Sequence, residues 1–298
     1  VQKEQGIIAQ EIRMGDDDPD SKVFWNLLKA MYRNHPVRID IAGTVESIAQ
    51  IDADLLYRCY RTFYHPSNMV LCAAGNVNPD EVFALVDRMV PAQPAPAVER
   101  QFPAEPAAVV QARVTDTAPV AAPLFTIGFK ESADVRPTDA ECAATDVLLQ
   151  VLASDTSPLY RRLMAGGWIN DSFSAEYFEG SGYAAVLFGG ESRDPDYVAA
   201  EIVREADRLR REGIDPESFE CARRALYGSA VSGFGSVSLL ANRMADAALS
   251  GRTFGAEPEL LRAMTVQQVQ DRLAVQLLPD RMAISVVNPL ESTNQQEG

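Results

Sequence analysis

Residues 51–74 read IDADLLYRCYRTFYHPSNMVLCAA. Asp52 is of the type that accepts hydrogen bonds from free helix amides, and the helix it opens runs from about Ala53 to Phe63. Pro66 cannot continue that helix, and the uncharged run Met69–Ala74 has the length and composition of a buried strand. The same steps recur at residues 264–287, MTVQQVQDRLAVQLLPDRMAISVV. Thr265 lies 213 positions after Asp52, and sliding the chain on itself by that interval pairs Ile48 with Leu261, Ile51 with Met264 and Leu56 with Val269. It also pairs Pro66 with Pro279, Met69 with Met282 and Leu71 with Ile284. Cap, helix face and proline-to-strand step all repeat, which predicts two related units of similar build. The expected class is therefore α+β, each unit a sheet covered on one side by helices.

Upstream of that stretch, KEQGIIAQEIRM at residues 3–14 predicts a helix with Ile7, Ile8 and Ile12 on an apolar face. The acidic run Asp16 to Asp20 ends it, and Ser21 is the expected cap of the next helix, through Phe24, Leu27, Leu28 and Met31. Residues 35–43 read as loop, and Pro79 opens a further helix. Between Pro91 and Pro106 the composition turns to Pro, Ala and Gln, which marks an extended linker. Beyond it, strands are expected near Leu124–Phe129, Asn170–Tyr177 and Tyr183–Gly189, the last two joined by Gly180, Ser181 and Gly182. Helices are expected from about Asp139 to Leu152, around Tyr160 and Leu163, and four or five more over Asp196 to Leu277, before a last strand at Met282–Val287. The implied organisation is a first unit truncated at its start (1–92), a linker (93–110), a second unit (111–290) and a polar tail (291–298).

A chain of 298 residues buries a substantial core without covalent staples. Its formal net charge of -15 would repel a polyphosphate over most of the surface, which argues against nucleic-acid binding. Cys59, Cys72, Cys142 and Cys221 form no CxxC pair and sit among apolar neighbours, as buried thiols in a reducing compartment would. No long uncharged apolar run is present, so no membrane span is expected and the cytoplasm is the default location. The histidines are His35 and His65, each followed by a proline and without a second histidine on a shared helix face. That arrangement excludes a self-contained histidine zinc site and predicts hydrogen-bonding roles in loops. No GxSxG, phosphate-loop or dinucleotide glycine pattern occurs, and GFGS at 233–236 lacks the lysine of a phosphate loop.

Glu4 and Glu11 stand two turns apart on one side of the first helix, a spacing that by itself marks a solvated face. The order of Glu4-x6-Glu11, NHP at Asn34–Pro36, GTVESI at Gly43–Ile48, FYHPSNM at Phe63–Met69 and AAGNVNPDEV at Ala73–Val82 resembles the insulinase-like M16 peptidases. The closest likeness is to bacterial half-length members that work as paired subunits. SPLYRRLMAGGWIND at Ser157–Asp171 and GYAAVLFGGESRDPD at Gly182–Asp196 are similar to the second unit of such a protein, so the resemblance spans nearly the whole chain.

What the resemblance implies is a mitochondrial-processing-peptidase-like fold and a Zn2+ ion in the intact parent. The ion would be held by two histidines of an HxxEH motif, absent from this sequence, and by a later glutamate matching Glu11, with Glu4 backing that ligand. The chemistry is sensible, because three protein ligands leave a position open for the water that attacks a peptide carbonyl. Arg224 lies 213 positions after Glu11, in keeping with a second unit that holds no metal. Family members of this kind grip substrate with an arginine and a tyrosine from a C-terminal unit. Tyr183 matches the tyrosine, with a packed aromatic as the competing explanation, and no arginine occurs between Arg162 and Arg193.

The expected function is zinc-dependent endopeptidase action on peptides enclosed between two facing halves, one of them supplied by a second M16-like subunit. This chain alone would be inactive. The alternative from another class is a non-catalytic partner or assembly subunit of the same fold, distinguished by the lack of HxxEH about seventy to eighty residues before Glu11. A peptide-binding scaffold acting by strand addition is more remote.

Overall fold

In this computed structural model residues 1–90, 98–131 and 136–290 are described, the Gln2 side chain excepted. The expected polar tail and part of the expected linker lie outside them. The first 90 residues form helices α1 (Gln2–Asp17), α2 (Pro19–Met31), α3 (Val45–Ile48), α4 (Ala53–Phe63) and α5 (Pro79–Met89). Asp18, not Ser21, caps α2: its carboxylate accepts the Ser21 amide at 2.9 Å, and Pro19 fills the first helical position, where no amide donor is needed. Asp52 caps α4 as expected, accepting from the Leu55 amide at 2.8 Å. The strand expected at Met69–Ala74 is not formed, because a strand exists only with a ladder partner and none of the described residues supplies one there.

From residue 113 onward come β1 (Arg113–Ala118), β2 (Leu124–Lys130), α6 (Asp139–Ala153), α7 (Pro158–Ala165), β3 (Ser174–Gly180) and β4 (Tyr183–Glu191). Five helices follow, α8 (Pro195–Glu212), α9 (Pro216–Gly233), α10 (Val237–Ser250), α11 (Glu257–Ala263) and α12 (Val266–Val275), then β5 (Met282–Pro289). The five strands make one sheet in the order β1-β5-β2-β4-β3, with β5 parallel to β1 and antiparallel to β2. Ile284 of β5 stands opposite Arg113 on one side and Ile127 on the other. The polar edge strand β1, RVTDTA, is a strand the sequence did not announce.

One face of the sheet carries the main core. Phe125, Ile127, Phe129, Val186, Phe188, Ile284 and Val286 pack against Val147, Leu148 and Leu152 of α6 and Val269 and Leu273 of α12. The Thr138–Glu141 capping box starts α6, each partner's side chain serving the other's backbone amide. The other face is not bare, contrary to the one-sided covering expected. There α2 lays Leu27, Leu28, Met31 and Tyr32 against Ala185, Leu187 and Ala283. A Cβ at Gly128 would collide with Met31 Sδ, so the glycine lets α2 approach β2 this closely.

Residues 98–110 form neither helix nor strand, yet they are anchored. Glu105 and Lys130 form an ion pair at 2.7 Å with side chains 1% and 0% exposed. The Glu105 carboxylate also accepts the amides of Arg33 (2.8 Å), Asn34 (2.6 Å) and His35 (2.8 Å). Lys130 Nζ donates to the carbonyls of Met31 (2.9 Å) and Pro106 (2.7 Å). Every charge in this knot has partners, which a buried pair requires. All four cysteines are free, as expected, but the expected burial fails: Cys59 and Cys221 are exposed and Cys72 and Cys142 half-buried. Cys59 lies on α4 and Cys72 in the unpaired run, regions with little covering them.

Candidate functional site

The α1 helix holds the two candidate carboxylates. Ala9 and Ile12 are buried against Ile48, with Val45 and Ile51 packed around them. That face seats the helix, and Glu4 and Glu11 stand on an adjoining, exposed stripe. The Gln5 amide adds two bonds to the same support, donating to the carbonyls of Ile48 (3.0 Å) and Ile51 (2.9 Å).

Neither histidine accompanies Glu11. His35 is buried, its Nδ1 accepting the Val37 amide at 3.1 Å and its Nε2 facing the Ser181 carbonyl at 3.0 Å. Those partners select the tautomer protonated at Nε2, and burial pushes the group below the ordinary histidine range. His65 accepts the Ser67 amide at 3.2 Å and starts a short 3-10 turn at Pro66–Asn68. Both histidines thus hold loops through hydrogen bonds.

Among the described residues no group of three or more His, Cys, Asp or Glu side chains is placed to hold a metal ion. Glu11 offers one hard oxygen donor, which fits a single ligand and not a complete site, since a stable zinc centre takes three or four. Arg224, 213 positions after Glu11, lies exposed on α9 with Glu220 at 3.4 Å.

Tyr183 opens β4 directly opposite Gly180 of β3. Its ring lies over that glycine, where a Cβ would collide with it, and it meets Phe178 (centroids 5.0 Å apart), His35 (5.2 Å) and Tyr32 (6.3 Å). Burial pushes its phenol above the ordinary tyrosine range. The tight turn uses Gly182 at φ +82, where other residues would be strained. The flanking arginines are engaged elsewhere: Arg162 donates to Glu205 at 2.8 Å, and the Arg193 guanidinium stacks 3.9 Å from the Trp168 ring centroid.

Two constellations were not anticipated. Arg272 of α12 donates to both Glu131 oxygens (3.0 and 2.9 Å), to the Tyr177 hydroxyl (3.1 Å) and to Thr145 (3.1 Å), tying α12 to α6, to the residue after β2 and to the middle of β3. Asp146 of α6 lines a cleft of about 610 Å³ with Asp155, Asp171 and Glu176. Burial, together with Glu257 and Glu179, pushes its carboxyl up to about 6. In sequence both are scattered single residues, and no local spacing connects them.

One face of the sheet is thus layered with α6 and α12, α9 packs against α6 and α11, and α2 covers the other face. Residues 50–226 match the family model described as the Peptidase M16 inactive domain. The uncharacterized zinc protease YmfH of Bacillus subtilis is 33% identical over 297 residues, covering 97% of this chain and 69% of the relative. A protein of Alicyclobacillus acidocaldarius assigned as an M16-like peptidase superposes with a TM-score of 0.90 at 34% identity, covering 97% of this chain and 70% of that one. A protease from Helicobacter pylori shares the fold with a TM-score of 0.80 at 18% identity, over 97% of this chain and 71% of its own. The chain belongs to the M16 peptidase family. Among the described residues no helix is long and apolar enough to cross a membrane.

Proposed function

We propose that this chain is part of a zinc-dependent endopeptidase of the M16 type, acting in the cytoplasm on peptides held between two facing halves, one of them from a second M16-like subunit. Residues 1–92 belong to a first unit, 93–110 link it to a second, and 111–290 form that second unit, which binds substrate and no metal. Glu11 is the chain's ligand to zinc, Glu4 orients it, and Tyr183 borders the peptide path. A bound zinc ion supplies Lewis acidity toward a water molecule and a substrate carbonyl. The chain's own part is to present the Glu11 carboxylate on a helix seated by its buried face and by the two Gln5 bonds. The observation that carries the proposal is the placement of Glu11 on an anchored helix in a chain of the M16 family, and the zinc-protease name of YmfH supports it.

The test is chelator-sensitive peptide cleavage by the natural protein, with zinc content measured alongside. Glu11→Gln is expected to weaken zinc binding by more than about a hundredfold, and Glu4→Gln by about ten- to a hundredfold, the range of groups that orient a ligand. Undiminished turnover in Glu11→Gln would overturn the assignment.

A second reading, a non-catalytic partner of the same fold, is favoured by Tyr183, whose ring is spent on Gly180 and Phe178. It predicts no cleavage by the natural protein alone and restored cleavage when a catalytic partner is added.

A further inference from the structure

The two units hold their equivalent helices by the same device. In the first, the Gln5 side chain on α1 donates to the carbonyls of Ile48 (3.0 Å) and Ile51 (2.9 Å), at and just beyond the end of the short helix α3. In the second, Arg223 on α9 donates to the carbonyls of Leu261 and Arg262, both at 3.1 Å, at the end of the short helix α11. Ile48 and Leu261 are the positions that the 213-residue repeat pairs. The last carbonyls of a helix lack partners within it, and in both units a side chain from an earlier long helix adds a donor there. The donor residue and its position differ, and of the recipient carbonyls Ile48 and Leu261 correspond, so a clasp on that carbonyl recurs in both units.

In the first unit this clasp has a consequence the second unit does not need. At roughly 100° per residue, Gln5, Ala9 and Ile12 fall within one sector of α1 of about 60°, and Glu4 and Glu11 fall within about 20° of each other on the neighbouring sector. Ala9 and Ile12 offer one small and one medium apolar contact, which are non-directional and define the rotation of the helix less sharply than directed bonds do. The two Gln5 bonds are directed, because their acceptors are backbone carbonyls at fixed positions. Rolling α1 by one sector would carry the Glu11 carboxylate several ångströms along an arc.

We infer that Gln5 is a positioning residue for the metal site: its amide, anchored on Ile48 and Ile51, sets the rotation of α1 and thereby the direction in which Glu11 is presented. The inference rests on the assignment of Glu11 as a zinc ligand, and the experiment separates the two. Zinc affinity by chelator competition, kcat and KM, and amide exchange along α1 are measured in the natural holoenzyme and in its Gln5→Ala, Gln5→Lys, Gln5→Glu and Glu11→Gln variants.

Gln5→Ala is expected to lose about five- to tenfold in zinc affinity, as loss of a group that orients a ligand does. KM should hold, with faster exchange confined to residues 2–17. Gln5→Lys keeps a donor and is expected to recover most of the affinity, as the cationic Arg223 does this work in the second unit. Gln5→Glu, an acceptor facing carbonyls, is expected to recover none. Zinc affinity within twofold of wild type in Gln5→Ala, alongside a large loss in Glu11→Gln, overturns the positioning role and leaves the ligand intact. Wild-type affinity in Glu11→Gln overturns the ligand assignment and the inference with it. Should Gln5→Ala not fold, the Lys and Glu variants decide the matter: equal zinc affinity in the two overturns the inference.

Discussion

Residues 45–74 and 257–289 carry one pattern in two settings. Each has a short helix, a capped amphipathic helix, a proline-led 3-10 turn and an apolar run, in the same order. In the second region the pattern is buried: Val269 is 0% exposed, Leu273 1% and Ile284 4%. In the first, the corresponding Leu56 is 49% exposed, Tyr60 58% and Leu71 71%. β5 lies between β1 and β2 and under α6 and α12, whereas residues 69–74 have no ladder at all among the described residues. An apolar run thus becomes a strand only where neighbours receive its backbone groups, and an apolar helix face becomes core only where a sheet lies beneath it.

The difference predicts opposite responses to the same change. Ile284→Asp would put an unpaired carboxylate into the core between the sheet and helices α6 and α12 and is expected to cost more than about 4 kcal/mol, enough to leave the chain unfolded. Leu71→Asp, at the paired position, is expected to change stability by no more than about 0.5 kcal/mol in this chain. Urea denaturation of the two variants checks this, and a large loss at position 71 would mean that the run is covered after all.

The buried ion pair that anchors residues 98–110 gives the next largest effect. Lys130→Met leaves the Glu105 carboxylate buried without its cation and is expected to cost about 3–5 kcal/mol. Burial alone would raise the Glu105 carboxyl, but Lys130 and the amides of Arg33, Asn34 and His35 outweigh it and hold the group at about 2, below its usual 4.5. A depressed carboxyl stabilises the fold fully above its unfolded value. That contribution should therefore drain away as pH falls from about 4.5 towards about 2, and stability measured across this window should flatten in the Lys130→Met variant.

Packing comes third. Leu273→Ala removes a side chain from between α6, α12 and the sheet and is expected to cost about 3 kcal/mol. Tyr60→Ala, its counterpart on α4, loses chiefly a stacked contact with Tyr64 at 5.3 Å and should cost under about 0.5 kcal/mol. Thermal unfolding of both proteins measures the ratio.

Those contrasts follow from what local sequence can and cannot encode. The bounds of α4, the start of α6 and the turn at Gly180–Tyr183 were readable because each depends on residues within four positions of one another. The polar edge β1 was not, since RVTDTA has neither an apolar run nor a turn signal, and its ladder partner lies about 170 residues away in β5. The position of α2 was hidden for a related reason: its stripe announces a buried face but not which sheet buries it. Glu105 sits in a Pro- and Ala-rich stretch that reads as free linker, and its meaning comes from Lys130 on β2 and from backbone amides 70 residues earlier. Of the candidate site, the Glu4 and Glu11 stripe was apparent from spacing, while the Gln5 clasp depends on carbonyls 43 and 46 residues away.

Caps provide the smallest effect and the control for all the others. Asp52 accepts the Leu55 amide at 2.8 Å in the uncovered region, and Thr265 accepts the Gln268 amide at 3.4 Å within a capping box in the covered one. A cap acts on amides of its own first turn, so its strength does not depend on whether a sheet lies below. Asp52→Ala and Thr265→Ala are each expected to cost about 1 kcal/mol of helix stability, read as faster amide exchange in the first turn of α4 or of α12. The readout will still differ in extent. Loss at Thr265 is shared by a helix locked into the core and should lower the global unfolding midpoint, whereas loss at Asp52 should stay within α4. Equal global effects would mean that α4 folds as one cooperative unit with the sheet, and the contrast drawn between the two regions would then concern exposure alone and not stability.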